Sequence, residues 1–188
     1  MRVYIVRHGE SVNNFQKLWT GWLDVPLTEK GVNDAEKAKS FIGGVDFDKV
    51  YSSDLIRAVE TAKIALPSYS LETSPLLREV NVGSIAGSPI STVSSEKRVF
   101  AALNGYSEYG GETKEEFQSR IRKFTKELET KDFKNVAIFS HAGWLRGFLD
   151  EVVGVTLPRK NIVCANCAIG IFEFEKDVWK LHSWINID

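Results

Sequence analysis

Nowhere in this sequence do apolar residues continue for the ~20 positions that a membrane-spanning helix needs. The apolar start, Val3-Tyr4-Ile5-Val6, is too short for a signal segment, so the cytoplasm is the expected location and no membrane partner is expected. An excess of charge of one sign is missing too. Lys and Arg total 24 against 25 Asp and Glu, a net charge of −1. With a pI near 6.3, there is no basic field to hold nucleic acid. Cysteine is scarce, with only Cys164 and Cys167 in Ile162-Val163-Cys164-Ala165-Asn166-Cys167-Ala168-Ile169. That run reads as strand, and three extended residues span ~10 Å, beyond the ~7 Å between Cα atoms that a disulfide tolerates. A zinc site would need further ligands, and none is spaced nearby. The cysteines are therefore expected as reduced core residues, with no metal and no other cofactor. Repeats, low-complexity tracts and linker-like stretches are also absent. A chain of 188 residues, 43% hydrophobic and 26% charged, is expected to form one domain over residues 1–188, large enough to bury a core without staples.

What is present alternates. Short apolar strands are followed by amphipathic helices, which predicts an α/β fold with a mostly parallel sheet. Thr28 is the expected N-cap of a helix with Val32, Ala35, Ala38 and Phe41 or Ile42 inward. Lys49 to Ser52 reads as strand, running through Ser53-Asp54 as caps into a helix with Leu55, Ala58, Val59, Ala62 and Leu66 inward, stopped at Pro67. Thr113 to Glu116 forms a capping box that opens a long helix carrying Phe117, Ile121, Phe124 and Leu128 at helical spacing. Val136 to Phe139 is a further strand, ending in Ser140-His141-Ala142-Gly143 ahead of a helix that Gly154 stops. Ala168 to Ile187 reads as a hairpin turning at Lys176-Asp177, with His182 on its solvent face and Trp179, Leu181 and Ile185 on the other. Ser84 to Gly111 has no clean period beyond a short helix near Val99 to Leu103. It is either a lid over a site or a surface excursion packed on its own apolar residues.

The chemistry collects at the strand exits. The first strand ends in Arg7-His8-Gly9, the second leads to Arg57 in the first turn of its helix, and a later one ends in His141. Parallel strands exit on one edge, where ligands bind in open α/β sheets and where helix N-termini favour an anion. Two arginines, two histidines and several helix starts on one edge point to a phosphoryl group, which the planar guanidinium fork fits. At ~4 Å and an effective dielectric near 20, each charge pair is worth ~4 kcal/mol before desolvation. The same arginines push a neighbouring imidazole toward neutrality, leaving a lone pair to attack. His8 is the expected nucleophile, with the Gly9 carbonyl placed to hold Nδ1–H. Glu79, in Leu76-Leu77-Arg78-Glu79, is the expected proton donor to the leaving alkoxide, where a positioned acid accelerates reaction.

Arg7 to Ser11, R-H-G-E-S, resembles the signature of the histidine phosphatase superfamily, the phosphoglycerate mutase-like proteins. Asn14, Thr20 to Gly31, Ser52 to Ala62, L-R-E with Gly83, Gly110 to Thr113 and S-H-A-G resemble further family motifs, in family order and over nearly the whole chain. The resemblance implies a three-layer α/β/α fold with a mixed six-stranded sheet and a phosphohistidine intermediate on His8. It further implies that Arg7, Arg57 and His141 complete the phosphate pocket and Glu79 donates the proton. Asn14, Thr20 and Gly21 match positions near the phosphate or substrate, and no metal is implied. Thr20 to Asp24 is similar to phosphoglycerate mutases, whereas Gly83 to Gly87 departs from the G-x-W-E-G of many phosphatases. The middle region offers only Lys97-Arg98 for a substrate carboxylate, and it is expected to set substrate choice through Lys97, Arg98, Phe100, Tyr106 and Tyr109. The expected activity is a phosphomonoesterase acting on a small phosphorylated metabolite. Phosphoglycerate mutase-type transfer and a phosphoprotein-directed phosphatase or binding module are the alternatives.

Overall fold

The computed structural model describes residues 1–154 and 162–187. Its order of elements is β1 (Arg2–Arg7), α1 (Val12–Phe15), α2 (Glu29–Ile42), β2 (Lys49–Ser52), α3 (Ile56–Ala65), β3 (Leu71–Thr73), α4 (Ser95–Asn104), α5 (Lys114–Glu129), β4 (Asn135–Ser140), α6 (Ala142–Val153), β5 (Ile169–Glu175) and β6 (Val178–Ile185). The strands form one mixed sheet in the order β3-β2-β4-β1-β5-β6. The first four of these are parallel, and β5 and β6 run antiparallel at one side. Tyr4 and Val6 of β1 pack with Ala35, Ala38 and Ile42 of α2 and Ala62 of α3 on one face. Val3 and Ile5 pack with Phe117, Ile121 and Phe124 of α5 and Leu145 and Phe148 of α6 on the other. Period-two alternation along β1 thus feeds two cores, and the α/β/α layering follows.

Capping accounts for two helix starts. The Thr113 side chain accepts from the Glu116 N–H while Glu116 reaches back to the Thr113 N–H, closing the box at the head of α5. Thr28 accepts from the Gly31 N–H at 3.0 Å and caps α2. The inward face of α2 carries Ala35, Ala38 and Ile42 as expected, joined by Gly31 and Asp34, while Val32, expected inward, is 41% exposed. Gly31 packs on the Glu10 backbone so closely that an added Cβ would overlap the Glu10 carbonyl, which places the start of α2 beside the site. Asp54, expected as a cap of α3, pairs instead with Arg78; Leu55 is the N-cap and has no side-chain bond.

Other local readings change as well. Cys164 and Cys167 lie in a turn ahead of β5, not in a strand, closed by the Ala168 N–H to the Ala165 carbonyl at 3.0 Å. Both thiols are free and buried, one in each core, so the sheet separates them. The hairpin turns at Lys176 and Asp177, with φ of 51° and 62°. A bulge opposite Ile171/Phe172 shifts the register of β6. Its alternation therefore breaks: Trp179 and Trp184 join one core, Ile185 the other, and Leu181 is 43% exposed. His182 is exposed, as the alternation suggests. In the middle region α4 is longer than expected, and short 3-10 turns at Gly83–Ile85, Ile90–Thr92 and Ser107–Tyr109 fill much of the rest. Among the described residues no helix is long and apolar enough to cross a membrane.

Candidate active site

β1 and β4 are parallel neighbours, yet α2 after β1 and α6 after β4 lie on opposite faces of the sheet. Where connections diverge in this way a crevice opens at the strand ends. Arg7 is in register with Ser140, and Ser52 with Phe139, so the three exits are level. The His8 N–H donates to the Ser140 carbonyl at 2.9 Å, and the His8 and His141 rings stand 5.1 Å apart.

His8 is 4% exposed, and its Nδ1 lies 2.6 Å from the Gly9 carbonyl oxygen. A carbonyl only accepts, so the proton sits on Nδ1 and Nε2 carries the lone pair. That lone pair accepts from Arg57 Nε at 3.2 Å. Burial first, then the charges of Arg57 and Arg7, hold the His8 pKa well below 6.5, against the Gly9 bond. His141 is depressed in the same direction by burial, with Arg57, His8, Arg120 and Arg7 adding to it. Both of its ring nitrogens are buried without a partner. Orphaned buried groups are rare in folded proteins, and two on one imidazole beside a cationic crevice suit a ligand oxygen.

Arg57 is 1% exposed; its Nη1 donates to the Leu23 carbonyl and its Nη2 to the Gly21 carbonyl, each at 2.9 Å. Burial lowers its pKa to about 10, with the Glu79 and Asp24 carboxylates opposing that shift, so it remains charged at neutral pH. The fork therefore also holds the Thr20 to Asp24 loop. Gly21 is needed there: φ is +49°, and an added Cβ would come 2.8 Å from Val82 Cγ2. Arg7 donates from Nη1 to the Cys164 carbonyl at 2.5 Å.

Glu79 stands against the first turn of α6. Its Oε2 accepts from the Gly143 N–H at 3.0 Å, and its Oε1 from the Val80 N–H at 2.9 Å. An added Cβ at Gly143 would overlap Oε1, which gives the glycine of S-H-A-G its physical reason. The Glu79 backbone is anchored by Trp22 Nε1 and Arg120 Nη2, both at 2.7 Å to its carbonyl, and Glu112 holds Arg120 in an ion pair at 2.7 Å.

These side chains open on a cavity of about 170 Å³, lined by Arg7, His8, Asn14, Thr20, Gly21, Arg57, Glu79 and Gly143. Leu18, Trp19, Val80, Val82, Tyr106, Ala142 and Arg146 complete the wall. Of the sequence-level set only His141 lies behind the lining. Lys97 and Arg98, expected to meet a substrate carboxylate, do not line this cavity: Lys97 is exposed, and Arg98 donates to the Ile90 and Val93 carbonyls of its own segment. Of the five gripping residues expected in the middle region, only Tyr106 reaches the cavity. The region is also stapled down, through Trp19 N–H to Ser88 O at 2.9 Å, Gly87 N–H to Trp19 O at 2.7 Å and Ile90 N–H to Lys17 O at 2.9 Å. Sequence reasoning missed Trp19, Arg120, Arg146 and Asn166. Arg146 has a signal in retrospect, lying three residues past Gly143 and so on the same helix face. Among the described residues no group of three or more His, Cys, Asp or Glu could hold a metal ion.

A doubly wound sheet with two histidines, two arginines and a carboxylate gathered at its switch point defines a protein built for phosphoryl chemistry. Residues 3–187 match the model of the histidine phosphatase superfamily (branch 1), and the chain belongs to that superfamily of enzymes. A protein of Yersinia pestis (strain Pestoides F) named probable phosphoglycerate mutase GpmB is 27% identical over 98% of this chain and 90% of its own length. The alpha-ribazole phosphatase of Shigella flexneri superposes with a TM-score of 0.85 at 23% identity, over 100% of both chains. A mycobacterial glucosyl-3-phosphoglycerate phosphatase, solved in complex with VO3, gives a TM-score of 0.88 at 21% identity, over 97% of this chain and 98% of that one.

Proposed function

We propose that this protein hydrolyses the phosphomonoester of a small metabolite through a phosphohistidine on His8. The observation that carries the reading is the His8 ring, with Nδ1 tied to the Gly9 carbonyl at 2.6 Å and the Nε2 lone pair turned to Arg57. In the first step the Nε2 lone pair leaves the Arg57 Nε–H and forms a bond to phosphorus as the ester P–O bond breaks. Glu79 gives its proton to the departing alkoxide, while Arg7, Arg57 and His141 bear on the phosphoryl oxygens. In the second step Glu79 takes a proton from water, whose oxygen displaces His8 and releases inorganic phosphate. Asn14, Thr20 and Gly21, in the lining, meet the phosphoryl group or the first atoms of the alcohol.

Size supports a small substrate, since about 170 Å³ is below the ~300–1,000 Å³ common for drug-sized ligands. Phosphoglycerate mutase-type transfer is the second reading, favoured by the name of the Yersinia relative and by Arg146 in the wall, where a cation could meet a carboxylate. Brief incubation with p-nitrophenyl phosphate, an alkaline quench and mass spectrometry should find phosphate on His8. A His8→Ala variant that keeps turnover within tenfold of the parent would sink the proposal. Labelled 3-phosphoglycerate separates the two readings: hydrolysis releases inorganic phosphate, and transfer yields 2-phosphoglycerate.

A further inference from the structure

The C-A-N-C segment drew notice for its cysteines, but both are buried thiols whose pKa burial raises, that of Cys167 to about 12. The residue between them makes the contacts. Asn166 Nδ2 donates to the His8 carbonyl at 3.2 Å and to Asn14 Oδ1 at 3.2 Å. The same His8 carbonyl accepts from the Cys167 N–H at 3.3 Å, while the Gly9 N–H on the other side of that peptide donates to Thr61 Oγ1 at 3.0 Å. The His8–Gly9 peptide is thus held at both polar atoms by side chains from elements far apart in sequence.

The polarity of this chain of bonds is forced. The Ser11 N–H can only donate, so the Asn14 atom 3.3 Å from it is Oδ1. An atom that bonds Asn14 Oδ1 and a backbone carbonyl must be a nitrogen with two protons, which Asn166 supplies and Asp or Ser cannot. With its oxygen occupied twice, Asn14 has only its Nδ2 amide left to offer a phosphoryl oxygen in the cavity it lines.

Resting on the phosphohistidine reading, we propose that Asn166 is a positioning residue that fixes the main chain of His8 and makes Asn14 present its N–H side to the phosphoryl group. Removing the two donors lets the His8–Gly9 peptide rock, which loosens the Gly9 carbonyl that holds Nδ1–H. It also leaves Asn14 Oδ1 with the Ser11 N–H, at 3.3 Å, but without its second donor, so the amide turns more readily and can set an oxygen against phosphoryl oxygens.

Asn166→Leu keeps the volume without donors, and Asn166→Asp keeps the shape with acceptors alone. Each is compared with the parent in melting temperature, in inorganic phosphate affinity, in the rate of phosphoenzyme formation from p-nitrophenyl phosphate, and in the ¹⁵N signals of His8. The expected result is a melting temperature within a few degrees, about tenfold slower phosphoenzyme formation, weaker phosphate binding and loss of the pure Nδ1–H tautomer. Combining Asn166→Leu with Asn14→Ala should slow formation little beyond the worse single variant, because residues in one network are not additive. A folded variant within twofold of the parent rate and with an unchanged tautomer overturns the proposal, as do losses that multiply. Unfolding of both variants would make Asn166 a stability residue and overturn it as well. If the parent forms no phosphohistidine, the functional reading falls, while the tautomer and phosphate affinity still judge Asn166.

Discussion

Replacing Gly143 by Ala should damage catalysis while leaving the fold intact. The added Cβ overlaps Glu79 Oε1 and comes 2.9 Å from Glu79 Cδ, so the carboxyl must swing away and surrender its bond to the Gly143 N–H. The displaced group is the end of a flexible side chain, so the core has no reason to move. Alanine near the start of α6 even gains up to ~1 kcal/mol in helix propensity over glycine. A hydrogen bond to a charged group is worth ~1.5–3 kcal/mol. At ~1.4 kcal/mol per factor of ten, losing it should slow phosphoenzyme formation from an alkyl phosphate by roughly 10- to 100-fold. p-Nitrophenolate leaves without a proton, and water activation by Glu79 belongs to the second step, so phosphoenzyme formation from p-nitrophenyl phosphate should slow less than ~3-fold. Single-turnover phosphoenzyme formation from both esters, beside a melting curve, makes the comparison. Glu79→Gln combined with Gly143→Ala should be no slower than Glu79→Gln alone, since both act on one carboxyl. Equal slowing of phosphoenzyme formation from the two esters, or a melting temperature several degrees lower, would refute the reasoning and make Gly143 a packing residue.

Other outcomes follow from the same geometry. Arg57→Lys keeps the charge but cannot reach both the Gly21 and Leu23 carbonyls, so kcat/KM should drop ~10²-fold or more and the melting temperature should fall; retention of both would mean that the fork is dispensable. Lys97→Ala with Arg98→Ala should leave the ranking of a metabolite phosphate panel unchanged, because neither side chain lines the cavity; a selective loss for substrates with a second anion would restore them to recognition. His8 and His141 have pKa values depressed below 6.5, so between those values and 6.5 the unfolded chain binds more protons than the folded one. Stability should therefore fall as pH drops below about 6.5 and should not respond to these groups above it, and His141→Gln should flatten the decline in melting temperature between pH 7 and 5.

Much of this molecule is legible in one dimension because its causes are local. Period-two apolar runs, the Thr28 and Thr113 caps and the 3.6-residue spacing of Phe117, Ile121, Phe124 and Leu128 need only neighbours in sequence, and they are where the pattern places them. Arg7, His8, Arg57 and His141 are readable for a related reason: parallel strands share an exit edge, so naming the exits names the edge. Glu79 stands apart, since no spacing singles out one carboxylate among many, and its motif marked it where periodicity could not.

What only the tertiary structure decided is what depends on contact between distant segments. The close approach of Gly31 to Glu10 and the bulge that breaks the alternation of β6 leave no local mark in the sequence. Lys97 and Arg98 looked like a substrate grip because charge is visible in a sequence and direction is not. In the fold Arg98 turns back on its own carbonyls and Arg146, a turn of helix beyond Gly143, reaches the cavity. Asn166 lies 158 residues from His8, in a tetrapeptide whose cysteines drew the eye. A sequence states which groups can donate and accept, but which pairs meet is settled only when the sheet brings the two ends of the chain side by side.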